Sequence, residues 1–134
     1  MATNMYLNIP VKDLNKSNDF FKKLGFSFNP QFSNEQATCV IISESIFVMM
    51  VQEEMFKGFS KKEICDTKKS TEVFIGLSAE SKEKVIDMVN AAVEAGGSVY
   101  SEPQDHGWMY SHSFADLDGH QWDLFFMDMS AMPK

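Results

Sequence analysis

Tyr6-Leu7-Asn8-Ile9-Pro10-Val11, followed by Lys12-Asp13-Leu14, is an extended stretch that gives way to cap-type residues. The helix pattern after it ends in Leu24-Gly25. The chain then makes the same passage again. Val73-Phe74-Ile75-Gly76-Leu77-Ser78 is extended, and the helix pattern that follows ends in Ala95-Gly96-Gly97. Each passage closes on apolar extended runs, Ile46 to Val51 in the first and Trp122 to Phe126 in the second. One βαβββ unit is therefore written twice. The fold class is α+β, with two tandem βαβββ modules forming a cupped mixed sheet. Module 1 covers about 4–52, a linker 53–70 and module 2 about 71–128, within one domain over 1–134. Two open sheets of this kind can pair and enclose a pocket, so function turns on what lines them.

Helical spacing joins Leu14, Ser17, Phe20, Phe21 and Leu24, with Asp13 to Asn15 as cap-type residues. Gly25 suits a left-handed stop. Phe26 to Phe28 and Ala37 to Ile42 read as strands around the polar loop 29–35. In the second module Ser81 is the expected N-cap, and Val85, Met88, Val89, Ala92 and Val93 form one apolar stripe. Val99-Tyr100 reads as a short strand, 103–107 as a loop, and Met109 to Ala115 as a strand. Asp116-Leu117-Asp118-Gly119 is a hairpin turn into the last strand, His120 to Met127. Residues 130–134 read as a fraying tail. The linker is charged, with Met55, Phe56 and Phe59 interspersed. It is either a solvated connector or a lid whose Phe56 or Phe59 closes over a pocket.

At 134 residues the chain can bury a core without disulfide or metal support. Twelve Phe and ten Met are high for this length and suit cores and adaptable pockets. A net charge of -7 argues against nucleic acid and against an anionic membrane surface, since both need clustered cations. Cys39 and Cys65 match no metal or redox spacing. Cys39 sits in an apolar run and is expected buried; Cys65 lies in a polar segment. Met1 to Met5 carries no secretory pattern, and no apolar run approaches membrane-spanning length. The expected location is cytoplasmic.

Ile9-Pro10-Val11-Lys12-Asp13-Leu14 with Ser17 and Phe20-Phe21, the Leu24-Gly25-Phe26 helix exit and Phe114-Ala115-Asp116-Leu117-Asp118-Gly119-His120 together resemble the vicinal oxygen chelate superfamily. That superfamily includes glyoxalase I, bleomycin-resistance proteins and extradiol dioxygenases. The last motif looks like the family's Phe-x-Asp-Pro-Asp-Gly turn with Leu117 in place of Pro. The resemblance implies a homodimer. It also implies that metal-using members draw two ligands from each module, one on the first strand and one on the last. Those positions carry over to Tyr6 and Met49 (Met50 if the register slips by one), and to Phe74 and Asp123. Phe has no lone pair to give, a Met thioether is soft, and neutral Tyr is a poor ligand. A catalytic zinc site usually needs three protein ligands. The expectation is therefore no metal cofactor.

Residues two apart on a strand share a face. If Asp123 faces the pocket, so do Gln121 and Phe125, while Trp122, Leu124 and Phe126 pack under a helix. Tyr6 and Asn8 likewise share a face, as do Phe47, Met49 and Val51, and Phe74, Gly76 and Ser78. The candidate ligand-binding set is Tyr6, Asn8, Phe47, Met49, Phe74, Gln121, Asp123 and Phe125; the alternative is that Phe47, Phe74 and Phe125 fill a closed core. Such a lining suits a small aromatic or amphipathic molecule. His106, His112 and His120 tempt a metal hypothesis, but His106 reads as loop polarity and His120 as exposed. Three functions compete. The first is a metal-free binding protein of the bleomycin-resistance type. The second is a metal-dependent glyoxalase-like lyase or dioxygenase with displaced ligands. The third is a metal-free acid–base enzyme with Asp123 and Tyr6 as catalytic candidates.

Overall fold

Asp13 stops β1 (Met5–Val11) and starts α1 (Leu14–Lys23) in the computed structural model, which describes residues 1–133. Its backbone is extended and its carboxylate accepts from the Lys16 N–H at 3.2 Å, which satisfies one of the helix's orphan donors. Gly25 leaves the helix at φ +98°, a conformation that side chains other than glycine's resist. Leu14, Ser17, Phe20, Phe21 and Leu24 are all buried, as their spacing predicts.

The chain divides into two compact units, the first Met1–Cys65 and the second beginning at Asp66. In the first, α1 is followed by β2 (Ser27–Asn29), a 3-10 turn (Pro30–Phe32), β3 (Ala37–Ile41) and β4 (Ile46–Gln52). The sheet order is β1-β4-β3-β2, with β1 and β4 parallel and the other pairs antiparallel. α1 packs against β3 and β4. Ile9, Val40, Val48 and Met50 are buried on one face of the sheet, and the Phe20 and Phe21 rings meet edge-on at 5.0 Å. Each such side chain removed from water contributes about 1.5–3 kcal/mol. α2 (Glu53–Ser60) then makes the first part of what the sequence presents as a charged linker. Its Phe59 is exposed and its Phe56 half-buried.

The second unit repeats the plan. β5 (Phe74–Ser78), α3 (Lys82–Glu94), β6 (Gln104–Asp105), β7 (Met109–Ala115) and β8 (Gln121–Met127) form a sheet of order β5-β8-β7-β6, with β5 and β8 parallel. Both units are thus βαβββ with a four-stranded mixed sheet, the expected α+β class. Ser81 caps α3 by accepting from the Lys84 N–H at 3.1 Å. Trp122, Leu124 and Phe114 fill the core on the α3 side.

Val99-Tyr100 is not a strand. Both residues are exposed, Ser98 alone bridges to Ala115, and the strand lies at Gln104–Asp105 in the expected loop. Val93 is 47% exposed, outside the α3 stripe. At 3.6 residues per turn it sits about 80° around the axis from Val85, at the edge of the covered face. His120 is buried, not exposed, because alternation puts it on the core side with Trp122 and Leu124; its Nδ1 lies 2.6 Å from Glu72 Oε1. The tail expected to fray carries a 3-10 turn, Met129–Ala131, capped by Asp128; Lys134 lies outside the described residues. Cys39 is buried, and burial pushes its thiol pKa up. No helix among the described residues is long and apolar enough to cross a membrane.

Candidate functional site

Strand register assembles half of the candidate residues on one face of the first unit. β1 and β4 pair Tyr6 with Phe47 and Asn8 with Met49, and β3 adds Cys39 opposite Met49. The Tyr6 and Phe47 rings stack with centroids 4.9 Å apart and planes 17° from parallel. Tyr6 is 46% exposed, so this stack borders solvent. Asn8 Nδ2 donates to the Tyr6 carbonyl at 3.3 Å. Met49 lies on the face of Tyr6 and Asn8; Met50 lies on the other face and is fully buried.

The other half gathers on one face of the second unit. β5 and β8 pair Phe74 with Gln121, Gly76 with Asp123 and Ser78 with Phe125. Phe74 is 54% exposed, while Phe125, Gln121 and Asp123 are half-buried. Within its own unit Phe47 is likewise half-buried. Asp123 Oδ1 accepts from Ser113 Oγ at 2.9 Å, and Gln121 Oε1 accepts from Thr71 Oγ1 at 2.7 Å. Neither hydroxyl is among the sequence-based candidates. Ser113 was findable: counting outward from the Asp116–Gly119 turn pairs 115 with 121 and 113 with 123.

Behind this face is a buried polar cluster that the sequence motif only hinted at. Asp116 Oδ1 accepts from the N–H groups of Asp118 and His120, and Oδ2 from Trp122 Nε1, each at 3.0 Å. Burial pushes the Asp116 carboxyl above the usual carboxylate range, against the opposing pull of the His120 charge and the Trp122 N–H. His120 Nδ1 stands 2.6 Å from Glu72 Oε1. Thr67 Oγ1 donates to the Asp118 carbonyl, so the segment leading into β5 is fastened to the β7–β8 turn.

The histidines do not form a cluster. His106 is exposed near Gln104, His112 Nε2 is 2.9 Å from the Ser101 carbonyl, and His120 belongs to the Glu72 pair. Among the described residues no three of His, Cys, Asp or Glu gather as a metal site. The donor set at the four positions that the resemblance assigns is a phenol, a thioether, a phenyl ring and one carboxylate. That set does not fit a hard or borderline divalent ion.

The comparisons with known proteins agree with this architecture. The model of the Glyoxalase/Bleomycin resistance protein/Dioxygenase superfamily matches residues 5–124. A hypothetical protein from S. aureus of known structure is 33% identical, with a TM-score of 0.79 over 94% of this chain and 95% of that one. A glyoxalase/bleomycin resistance protein/dioxygenase family enzyme from Burkholderia phytofirmans is 16% identical, with a TM-score of 0.74 over 91% and 96%. A genomically encoded fosfomycin resistance protein from Listeria monocytogenes is 19% identical, with a TM-score of 0.68 over 94% and 93%. The last two show the fold alone. No curated protein matches the sequence significantly. With its family model matched over most of its length and both βαβββ units in place, the chain belongs to the glyoxalase/bleomycin resistance protein/dioxygenase superfamily.

Proposed function

We propose that this protein binds a small aromatic or amphipathic molecule, in the manner of the bleomycin-resistance type, and works without a metal ion. The observation that carries the reading is the chemistry at the ligand positions of the resemblance. Tyr6, Met49 and Phe74 offer rings and a soft sulfur where a divalent ion needs imidazoles or carboxylates. Those same groups suit aromatic capture. Tyr6 and Phe74 are exposed, Phe47 already stacks on Tyr6, and Met49 packs adaptably beside Asn8. Asp123, oriented by Ser113, supplies a counter-ion, and the net charge of -7 favours a cationic ligand. The same two groups, Asp123 and Tyr6, would serve an acid–base enzyme, so turnover of the captured molecule is the outcome that would move the reading to catalysis. We further propose a cytoplasmic homodimer.

Two measurements test this together. Elemental analysis of protein purified without chelators is expected to find far less than one metal ion per chain. Ethidium, an aromatic cation, is expected to bind saturably by fluorescence. Tyr6→Ala, Phe74→Ala and Asp123→Asn should each weaken it by about tenfold, or ~1.4 kcal/mol. A stoichiometric metal, or ethidium binding indifferent to all three substitutions, would overturn the reading.

A further inference from the structure

The first unit carries a cleft on the side of the sheet opposite Tyr6, Asn8, Phe47 and Met49. It has a volume of about 420 Å³ and is lined by Asn18, Phe28, Pro30, Ser33, Asn34 and Thr38. The register puts it on that side: Thr38 pairs with Met50 and Phe28 with Val40, both on the face that α1 covers. The size lies within the range of small-molecule pockets, roughly 300–1,000 Å³.

Asn18 makes the cleft more than a surface dent. Its Oδ1 is buried and has no hydrogen-bond partner, which is a costly arrangement for an acceptor. Asn is also a weak helix former, yet it occupies the middle of α1 with no side-chain bond to the backbone in return. Since no hydrogen bond holds the amide in place, turning it about its soft terminal torsion toward the cleft breaks none. A carboxamide so turned offers an acceptor and a donor side by side. Two neighbouring polar groups are occupied. Ser33 Oγ donates to the Asn29 carbonyl and accepts from the Cys39 N–H, and Asn34 Oδ1 accepts from the N–H groups of Gln36 and Ala37. They hold the walls, and the buried acceptor left without a partner is Asn18 Oδ1. Phe28 and Pro30 add ring faces, and no charged side chain lines the cleft.

We propose that this cleft is a second binding site, for a neutral planar heterocycle with a lactam edge. Its N–H would donate to Asn18 Oδ1, its C=O would accept from Asn18 Nδ2, and its ring would lie against Phe28 and Pro30. The absence of lining charge selects against ions, and the paired edge selects against purely apolar rings. The site stands independently of the metal-free reading, because it uses none of the same residues.

The probe is uracil, titrated into the ¹⁵N-labelled full-length chain and followed by amide NMR. Saturable shifts are expected at the Asn18 side-chain amide and at the backbone amides of Asn34 and Thr38, with Phe74 and Asp123 unmoved. 1,3-Dimethyluracil keeps the ring but has no N–H to donate, and it should produce no saturable shift at those positions. Asn18→Leu should weaken uracil at least about tenfold, and the dimethyl compound keeps the test decisive if that variant folds poorly. Uracil shifts that do not saturate, that appear elsewhere, or that the dimethyl compound reproduces would overturn the proposal.

Discussion

Asp116 shows how much one side chain of the hairpin turn does. Three donors, two backbone N–H groups and the Trp122 indole, converge on its two oxygens inside the protein. Asp116→Ala removes the acceptor that all three share and should lower the unfolding free energy by ~2–4 kcal/mol, read by urea denaturation. Its titration has a definite sign. Because its folded pKa is raised, the native state holds the proton more tightly than the unfolded chain does. Its contribution is then fully present below the ordinary carboxylate value and is lost as pH rises through the raised one. Asp105 works in the opposite sense. A backbone N–H from Gly107 and the Lys82 ammonium lower its pKa, so its contribution is lost as pH falls. Urea midpoints at several pH values between about 4 and 7 should show Asp116→Asn removing the part that declines with rising pH. An unchanged profile would contradict the assignment. The sequence made Asp116 legible as a turn residue. Its role as a buried acceptor depends on Trp122 reaching back across the hairpin, which no local pattern records.

At the scale of elements, apolar periodicity was readable where several turns repeated it and failed at the ends. Val85, Val89 and Ala92 face the sheet as their spacing demands, whereas Val93 falls off the covered face. Val89→Asp should therefore cost ~2–4 kcal/mol, and Val93→Asp no more than about 0.5 kcal/mol. Equal costs in thermal or urea unfolding would refute the orientation of α3. β6 was missed because a two-residue strand has no period to read; its place is set by its pairing with Ser111 and Tyr110. The segment before β5 is another element that only the structure reveals. At Gly119 the φ of +85° favours glycine, and a Cβ there would lie 2.6 Å from Thr67 Oγ1. Gly119→Ala should cost ~1–3 kcal/mol. Part of that should be recovered in a Thr67→Ala background, and a double-mutant cycle measures the coupling directly.

For the whole molecule, the repeat was the legible feature, because two passages of strand, helix and strands at matching intervals constrain each other more than any single motif does. The candidate site was legible by face: alternation put Tyr6 with Asn8 and Asp123 with Gln121 and Phe125, and the register bears out that grouping within each unit. The supporting hydroxyls of Ser113 and Thr71 were not, since they come from elsewhere in the chain. A homodimer predicts a mass near twice 15.2 kDa in light scattering at micromolar concentration, and a monomer mass would contradict it. Whether this superfamily scaffold works without a metal is decided by calorimetric titration of the wild-type protein with Zn²⁺, Ni²⁺ and Mn²⁺. No saturable binding tighter than about 0.1 mM is expected for any of the three. Tight binding at one ion per chain, abolished by Asp123→Ala, would contradict it.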